Sequence, residues 1–272
     1  MRRGKKPSTI GRTSKIILVV NDMESKLVLA DCLDVMSDIP DKSVQLILAD
    51  LPYSSKKNRV TDLEWDSEIN LVELWRHYKR VLKPGGVVAL HGTQPFSSRL
   101  IYSNPDWFKY DYIWIKSQAA NFQLAKKMPL KKHEQILIFY TGRPAYNPQM
   151  WRGEIKQKRI GSETYQNRKS EAYIKTKMVN LASIPSDTYY PTTILTFPSV
   201  PRNQSLHRTQ KPVELEEFFI KTYSNEGDFV LDNAMGVGTT CVAAKKLGRK
   251  YIGIEKKWEF FEIAEKRLQE IK

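Results

Sequence analysis

The chain reads as an α/β fold with a mostly parallel sheet, on three observations. Segments with strand character alternate with segments of helical spacing; several strands are apolar at nearly every position; and a polar, basic stretch interrupts the alternation without ending it.

Taken in order, Leu27–Ala30 reads as a strand, Leu33–Ile39 as a short helix and Val44–Ala49 as a second strand, with Asp41 marking the turn before it. Val44-Gln45-Leu46-Ile47-Leu48-Ala49 is almost continuously apolar, the pattern of a strand covered by helices on both faces. Helical spacing over Leu71–Leu82 stops at Lys83-Pro84-Gly85-Gly86, and a buried strand follows at Val87–Leu90. Asp111–Ile115 and Gln135–Tyr140 suit a further strand pair. Residues 142–206 are rich in Ser, Thr, Asn and Tyr and lack sustained periodicity, so they read as an insertion. The alternation then resumes with a helix at Val213–Tyr223, a strand at Phe229–Asp232, a helix at Thr239–Leu247, a strand at Tyr251–Glu255 and a last helix at Phe260–Ile271.

Composition narrows the function. Of 272 residues 41% are hydrophobic, with 10 Phe, 13 Tyr and 6 Trp, so a full core can form and long-range disorder is excluded. The apolar runs are too short to cross a bilayer. Two cysteines without a CxxC pair, and four histidines, exclude a disulfide framework or structural zinc site, and no metal is expected. The basic start of the chain lacks the features of a signal peptide, so a cytoplasmic protein without membrane association is expected.

Lys and Arg number 44 against 30 Asp and Glu, leaving a net charge of +14, which favours polyanionic partners. The excess is clustered. Arg2–Lys15 carries six basic residues and no acid, Lys116–Lys132 five and no acid, and Gln149–Lys177 eight against three acids. Three one-signed patches suit a surface that follows a phosphate backbone.

Two motifs carry chemistry. In the second half, a buried strand ends in Asp232 and runs through Asn233-Ala234-Met235-Gly236-Val237-Gly238 into a helix at Thr239-Thr240. The glycines let backbone approach a ligand, and the helix start offers free N–H groups. No Lys-Ser/Thr follows, so this is not a P-loop, and the third glycine of the dinucleotide pattern is missing. The next strand ends in Glu255, about twenty residues beyond, where an acid takes both hydroxyls of an adenosine ribose. A ribose signature without a pyrophosphate signature points to S-adenosylmethionine.

In the first half, Asp50-Leu51-Pro52-Tyr53 follows the buried strand. These residues suit methylation of an exocyclic amine, whose lone pair is delocalised into its ring. The carboxylate of Asp50 and a backbone carbonyl of Leu51 or Pro52 can accept both N–H bonds and stabilise the positive charge that develops on nitrogen. Tyr53 offers an aromatic face to a base swung out of a duplex.

Together these motifs resemble the amino-methylating (N6-adenine/N4-cytosine) DNA methyltransferases of the permuted β group, in which the catalytic tetrapeptide precedes the glycine motif. Asp50–Tyr53 is similar to D-P-P-Y, with Leu51 as a departure whose side chain should point away from the amine. Asp232–Thr240 is similar to D-P-F-x-G-S-G-T-T, with Asn233, Ala234 and Val237 as departures. Ala30-Asp31-Cys32-Leu33 resembles the G-D-C-L segment, whose acid approaches the cofactor adenine. Leu82–Gly86 with His91-Gly92 resembles the loop lining the target pocket, and Lys127–Leu130 with His133–Phe139 the segment before the recognition region. Thr209-Gln210-Lys211-Pro212 resembles the motif over the cofactor's methionine end.

The resemblance implies a seven-stranded, doubly wound, Rossmann-like class I methyltransferase sheet as one domain over 1–272, with residues 142–206 as the target-recognition insertion. Asp50, Pro52 and Tyr53 would be catalytic. Asp31, Cys32, Gln210, Lys211, Pro212, Asp232, Ala234, Gly236, Gly238, Thr239, Thr240 and Glu255 would bind the cofactor. Lys126, Lys127, Lys156, Lys158, Arg159, Arg168 and Lys169 are candidate DNA contacts. The implied reaction is site-specific methylation of adenine N6 in duplex DNA. A homodimer and a cognate restriction endonuclease are partners that the resemblance admits. N4-cytosine methylation, RNA or protein amide methylation, and a catalytically weakened DNA-binding homologue stay open as alternatives.

Overall fold

The computed structural model describes residues 24–53, 69–156, 186–201, 203–207 and 209–271. Its elements run β1 (Lys26–Leu29), α1 (Cys32–Val35), β2 (Val44–Ala49), α2 (Leu71–Val81), β3 (Leu82–Gly92), α3 (Phe96–Ser103), β4 (Phe108–Ala120), β5 (Lys131–Phe139), β6 (Trp151–Lys156), β7 (Ser186–Tyr189), β8 (Ile194–Thr196), α4 (Val213–Tyr223), β9 (Phe229–Asp232), α5 (Thr239–Lys246), β10 (Lys250–Glu255) and α6 (Trp258–Gln269).

One sheet has the order β1-β10-β9-β2-β3-β5-β4-β8, and β6 and β7 form a separate antiparallel pair. Every described pairing in the large sheet is parallel except those made by β5. Both faces are buried, as the apolar run of β2 requires. Ile47 and Ala49 pack into a core with Leu74, Trp75 and Tyr78 of α2 and Leu100 of α3. Leu46 and Leu48 face the other way, onto Leu215, Phe219 and Ile220 of α4. The alternation of side chains along a strand divides one apolar run between two cores.

Sequence and structure differ in five places. The sheet holds eight strands rather than seven, because Ile194–Thr196, inside the stretch read as an insertion, pairs in parallel with Ile113–Ile115 of β4. The short helix read over Leu33–Ile39 is α1 followed by a 3₁₀ turn at Met36–Asp38. β3 runs through Lys83–Gly86, where the chain was expected to break, and β4 extends well beyond Asp111–Ile115. α3 was not anticipated: eight residues that begin after Pro95 with no side-chain cap give little local signal.

The topology fixes where a ligand can bind. From β2 the chain crosses through α2 to β3 on one side, and from β9 it crosses through α5 to β10 on the other. β2 and β9 are adjacent, with Leu46 opposite Val230 and Ile47 opposite Leu231. The strand order therefore reverses between them, and the crevice beyond their carboxyl ends is the natural ligand site of such a sheet.

Candidate active site

Both sequence motifs open into that crevice. Asp50 leaves β2 and Asp232 ends β9, so residues 182 positions apart emerge from neighbouring strands. Leu51 is buried in the core beside them, so its side chain turns away from the crevice. Pro52 and Tyr53 stay partly exposed at the rim, and the Tyr53 ring packs on Phe96 at 5.1 Å between centroids.

The Asp50 carboxylate is engaged on both oxygens. The Tyr53 hydroxyl donates to Oδ1, and Lys211 Nζ donates to Oδ2 at 2.5 Å. Burial, and then the adjacent Asp50 charge, hold the Tyr53 hydroxyl well above its ordinary pKa, so it is a donor. The resemblance places Lys211 at the cofactor's methionine end, but here its ammonium is directed onto Asp50. Lys211 is buried, and its Nζ also lies 3.3 Å from Glu134 Oε2. Burial alone would lower its pKa, but Asp50 and Glu134 outweigh that and raise it. Glu134, on β5, takes Lys116 Nζ on its other oxygen at 2.7 Å. Burial opposes the Glu134 charge, but Lys211 and Lys116 overcome this and bring its pKa down to about 2. Behind this group, His91 Nε2 of β3 lies 3.0 Å from Glu216 Oε1 of α4, both buried. Burial lowers the His91 pKa, and Glu216 more than reverses it.

The second motif forms a sharp turn. Gly236 and Gly238 have φ of +51° and +75°, the left-handed region that glycine enters without strain. A Cβ at Gly238 would lie 2.7 Å from Ala264 Cβ of α6, whereas beside Gly236 there is open space. Asp232 accepts the Ala234 N–H at 3.1 Å, and burial, partly countered by a Thr240 hydrogen bond, lifts its pKa to about 7. Thr239 and Thr240 are buried, and Arg267 donates to Thr239 Oγ1 at 3.2 Å. Asp232, Thr239 and Thr240 thus brace the turn from inside.

Asn233, a departure from the family pattern, is fully buried yet satisfied. It accepts from the Tyr78 hydroxyl at 2.6 Å, and its amide reaches Cys32 Sγ at 3.5 Å. Ala234 is half-buried against the core shared with α1 and α2.

Glu255 closes the turn. Its Oε2 accepts the Gly236 N–H at 3.0 Å and its Oε1 the Lys257 N–H at 2.7 Å, and burial raises its pKa. Each oxygen keeps acceptor capacity. Asp31 caps α1 through the Leu33 N–H at 3.1 Å and pairs with Lys256 at 3.0 Å. Gln210 is taken up locally by the Leu206 N–H at 2.8 Å, and Pro212 starts α4. A carboxylate facing an open glycine turn, with the acid Asp31 at the start of α1 nearby, fits a nucleoside cofactor.

Of the candidate DNA contacts, Lys126 and Lys127 lie in the exposed segment 121–130 between β4 and β5. Phe122, Leu124, Met128 and Leu130 are exposed in the same segment. An open cleft of about 720 Å³ beside it is lined by Gln118, Phe122, Pro201 and Asn203. β4 is parallel in direction to β2 and β3, so Gln118 near its end and Asp50 lie at the same edge of the sheet. Lys156 ends β6; Lys158, Arg159, Arg168, Lys169 and the Arg2–Lys15 cluster lie outside the described residues.

Sequence reasoning missed Glu134, Lys116, Glu216 and the pairing of Lys211 with Asp50. Glu134 lies in the polar first half of β5, Lys131-Lys132-His133-Glu134-Gln135, so the local pattern carried no signal of its burial.

A doubly wound sheet with a carboxylate–tyrosine loop beside an open glycine turn defines a class I methyltransferase acting on amino groups. The sequence profile described as DNA methylase matches residues 44–266, and the chain belongs to that family. It is 30% identical to the Type II methyltransferase M.HinfI of Haemophilus influenzae, over 93% of this chain and 70% of that one. Its identity to the Type II methyltransferase M.HpaI of Haemophilus parainfluenzae is 26%, over 90% and 74% of the two chains. In fold it is similar to M1.HpyAVI in complex with S-adenosylmethionine (TM-score 0.60, 22% identity, covering 89% of this chain and 98% of that one). The cytosine-N4-specific PvuII DNA methyltransferase aligns with TM-score 0.61 at 16% identity, covering 90% and 86%. The protein is a DNA methyltransferase with S-adenosyl-L-methionine as its cofactor.

Proposed function

We propose that the protein methylates N6 of adenine within a specific duplex DNA sequence, with Asp50, Pro52 and Tyr53 as the catalytic loop. The observation that carries this reading is Asp50 at the end of β2, next to the cofactor turn, with Tyr53 beside it. The tetrapeptide begins with Asp, which favours adenine over cytosine N4.

S-adenosylmethionine, when bound, would supply an electrophilic sulfonium methyl to the amine nitrogen, with the neutral thioether as leaving group. Asp50 accepts one amine N–H, and the carbonyl of Leu51 or Pro52 accepts the other. Asp50 thereby stabilises the cationic nitrogen and takes the proton that it must lose. Tyr53 and Phe96 give the extruded base an aromatic wall. Glu255, Gly236, Gly238, Ala234, Asp31 and Cys32 would hold the adenosine part of the cofactor, and Gln210 with Pro212 its other end. Residues 142–206 serve as the recognition region, and Lys126, Lys127 and the lysines and arginines of that region meet phosphates. Relatives named Type II methyltransferases support a place beside a cognate restriction endonuclease, in the cytoplasm where DNA is modified.

The test is incubation with unmethylated genomic DNA and labelled cofactor, followed by nucleoside mass spectrometry and modified-base sequencing. N6-methyladenine at one recurring sequence is expected. N4-methylcytosine would overturn the choice of base, and the absence of methylated DNA would overturn the function.

A further inference from the structure

We infer that Glu134 is a positioning residue for methyl transfer: it receives the Lys211 ammonium when the target amine displaces it from Asp50. The inference rests on Asp50 being the acceptor of that amine.

The observation behind it is an incompatibility. Lys211 Nζ sits 2.5 Å from Asp50 Oδ2, and the Tyr53 hydroxyl holds Oδ1, so donors of this chain occupy both oxygens. A target amine must present its N–H to the same carboxylate, and its nitrogen becomes cationic during transfer. Each Asp50 oxygen keeps a lone pair for the amine N–H, but an ammonium held on the same carboxylate repels the charge that develops on the nitrogen. Shifting Lys211 off Asp50 relieves that repulsion, yet Lys211 is buried, and a buried ammonium without a counter-charge is costly.

The structure holds a ready acceptor. Glu134 Oε2 is buried, makes no hydrogen bond, and lies 3.3 Å from Lys211 Nζ. Its partner oxygen, Oε1, is anchored by Lys116 at 2.7 Å, and Lys211 together with Lys116 keeps the carboxylate charged. A small rotation of the Lys211 terminus converts the long contact into a hydrogen bond and frees Asp50 Oδ2. Glu134 Oε2 is thus a buried carboxylate oxygen without a hydrogen bond, placed beside the ammonium that it would receive.

The test is a double-substitution cycle with Glu134→Gln and Lys211→Met, read as single-turnover methyl incorporation into unmethylated genomic DNA. Cofactor affinity and melting temperature are measured alongside. Glu134→Gln removes the alternative counter-charge and pins Lys211 on Asp50, so transfer should fall about tenfold or more with cofactor affinity unchanged. In the Lys211→Met background there is nothing to pin, and the same Glu134→Gln change should cost less than about threefold. A loss of equal size in both backgrounds, or none in the wild type, would overturn the inference. Should Glu134→Gln lower the melting temperature, Glu134→Asp keeps the charge at a shorter reach; its smaller loss should likewise vanish with Lys211→Met. The identity of the methylated base tests the proposed function separately, since these ratios hold for either amine.

Discussion

Replacing Glu255 with alanine separates cofactor binding from the rest of the site. The Glu255 carboxylate already accepts two N–H groups, from Gly236 at 3.0 Å and Lys257 at 2.7 Å. About four acceptor positions on a carboxylate leave roughly two for ligand hydroxyls. Hydrogen bonds to a charged acceptor contribute about 1.5–3 kcal/mol. In a half-buried site, where released hydroxyls regain water, we count one such contribution. Cofactor affinity should then fall roughly 10- to 150-fold, with a smaller effect on the rate at saturating cofactor. The freed Gly236 N–H borders open space and can hydrate, so the fold should lose only about 1 kcal/mol, or roughly 2–4 °C in melting temperature. Calorimetric titration of the folded variant with S-adenosylmethionine measures the affinity directly. A dissociation constant within about twofold of wild type would remove Glu255 from the site and leave it only a brace for the turn.

Asp50→Ala should abolish methylation, by on the order of 10²–10³-fold or more, while cofactor affinity is largely kept; substantial turnover would refute the assigned chemistry. Burial lifts the Asp232 carboxyl from 3.8 to about 7, so the native state holds a proton that the unfolded chain releases. Stability should therefore fall as pH rises from about 4 to 7, by at most about 4 kcal/mol, and Asp232→Asn should flatten that slope in urea unfolding; parallel curves would contradict it. Lys126→Ala with Lys127→Ala should reduce the slope of log affinity against log salt by about two, and Lys156→Ala, Lys158→Ala and Arg159→Ala together by about three. Unchanged slopes in a salt titration of DNA binding would mark either set as solvated surface.

Local pattern revealed what depends on neighbours in the chain. The apolar run of β2 demanded burial on both faces, and the structure divides it between two cores. The glycines at 236 and 238 implied a turn that other residues enter only with strain, and both have positive φ. Asn233 and Ala234 stood out as departures from the family pattern because their partners are distant in the chain. Tyr78, 155 residues away, satisfies the Asn233 side chain. The eighth strand escaped notice because three residues, Ile194-Leu195-Thr196, are too few to show a period and acquire their identity from β4.

By itself the sequence determined the class of fold, the order of its two motifs and the residue types each motif brings to the crevice. These are set by alternation, glycine placement and strand-end acids, all properties of contiguous residues. Only the tertiary structure decided which charges meet. Lys211 reaches Asp50 across 161 positions, and Glu134 and Lys116 join them from β5 and β4. Coulomb interaction depends on distance through space and on exclusion of water, and neither is encoded in spacing along the chain. A lysine that looked like part of a cofactor motif is instead, once buried between two carboxylates, the counter-charge shared by Asp50 and Glu134.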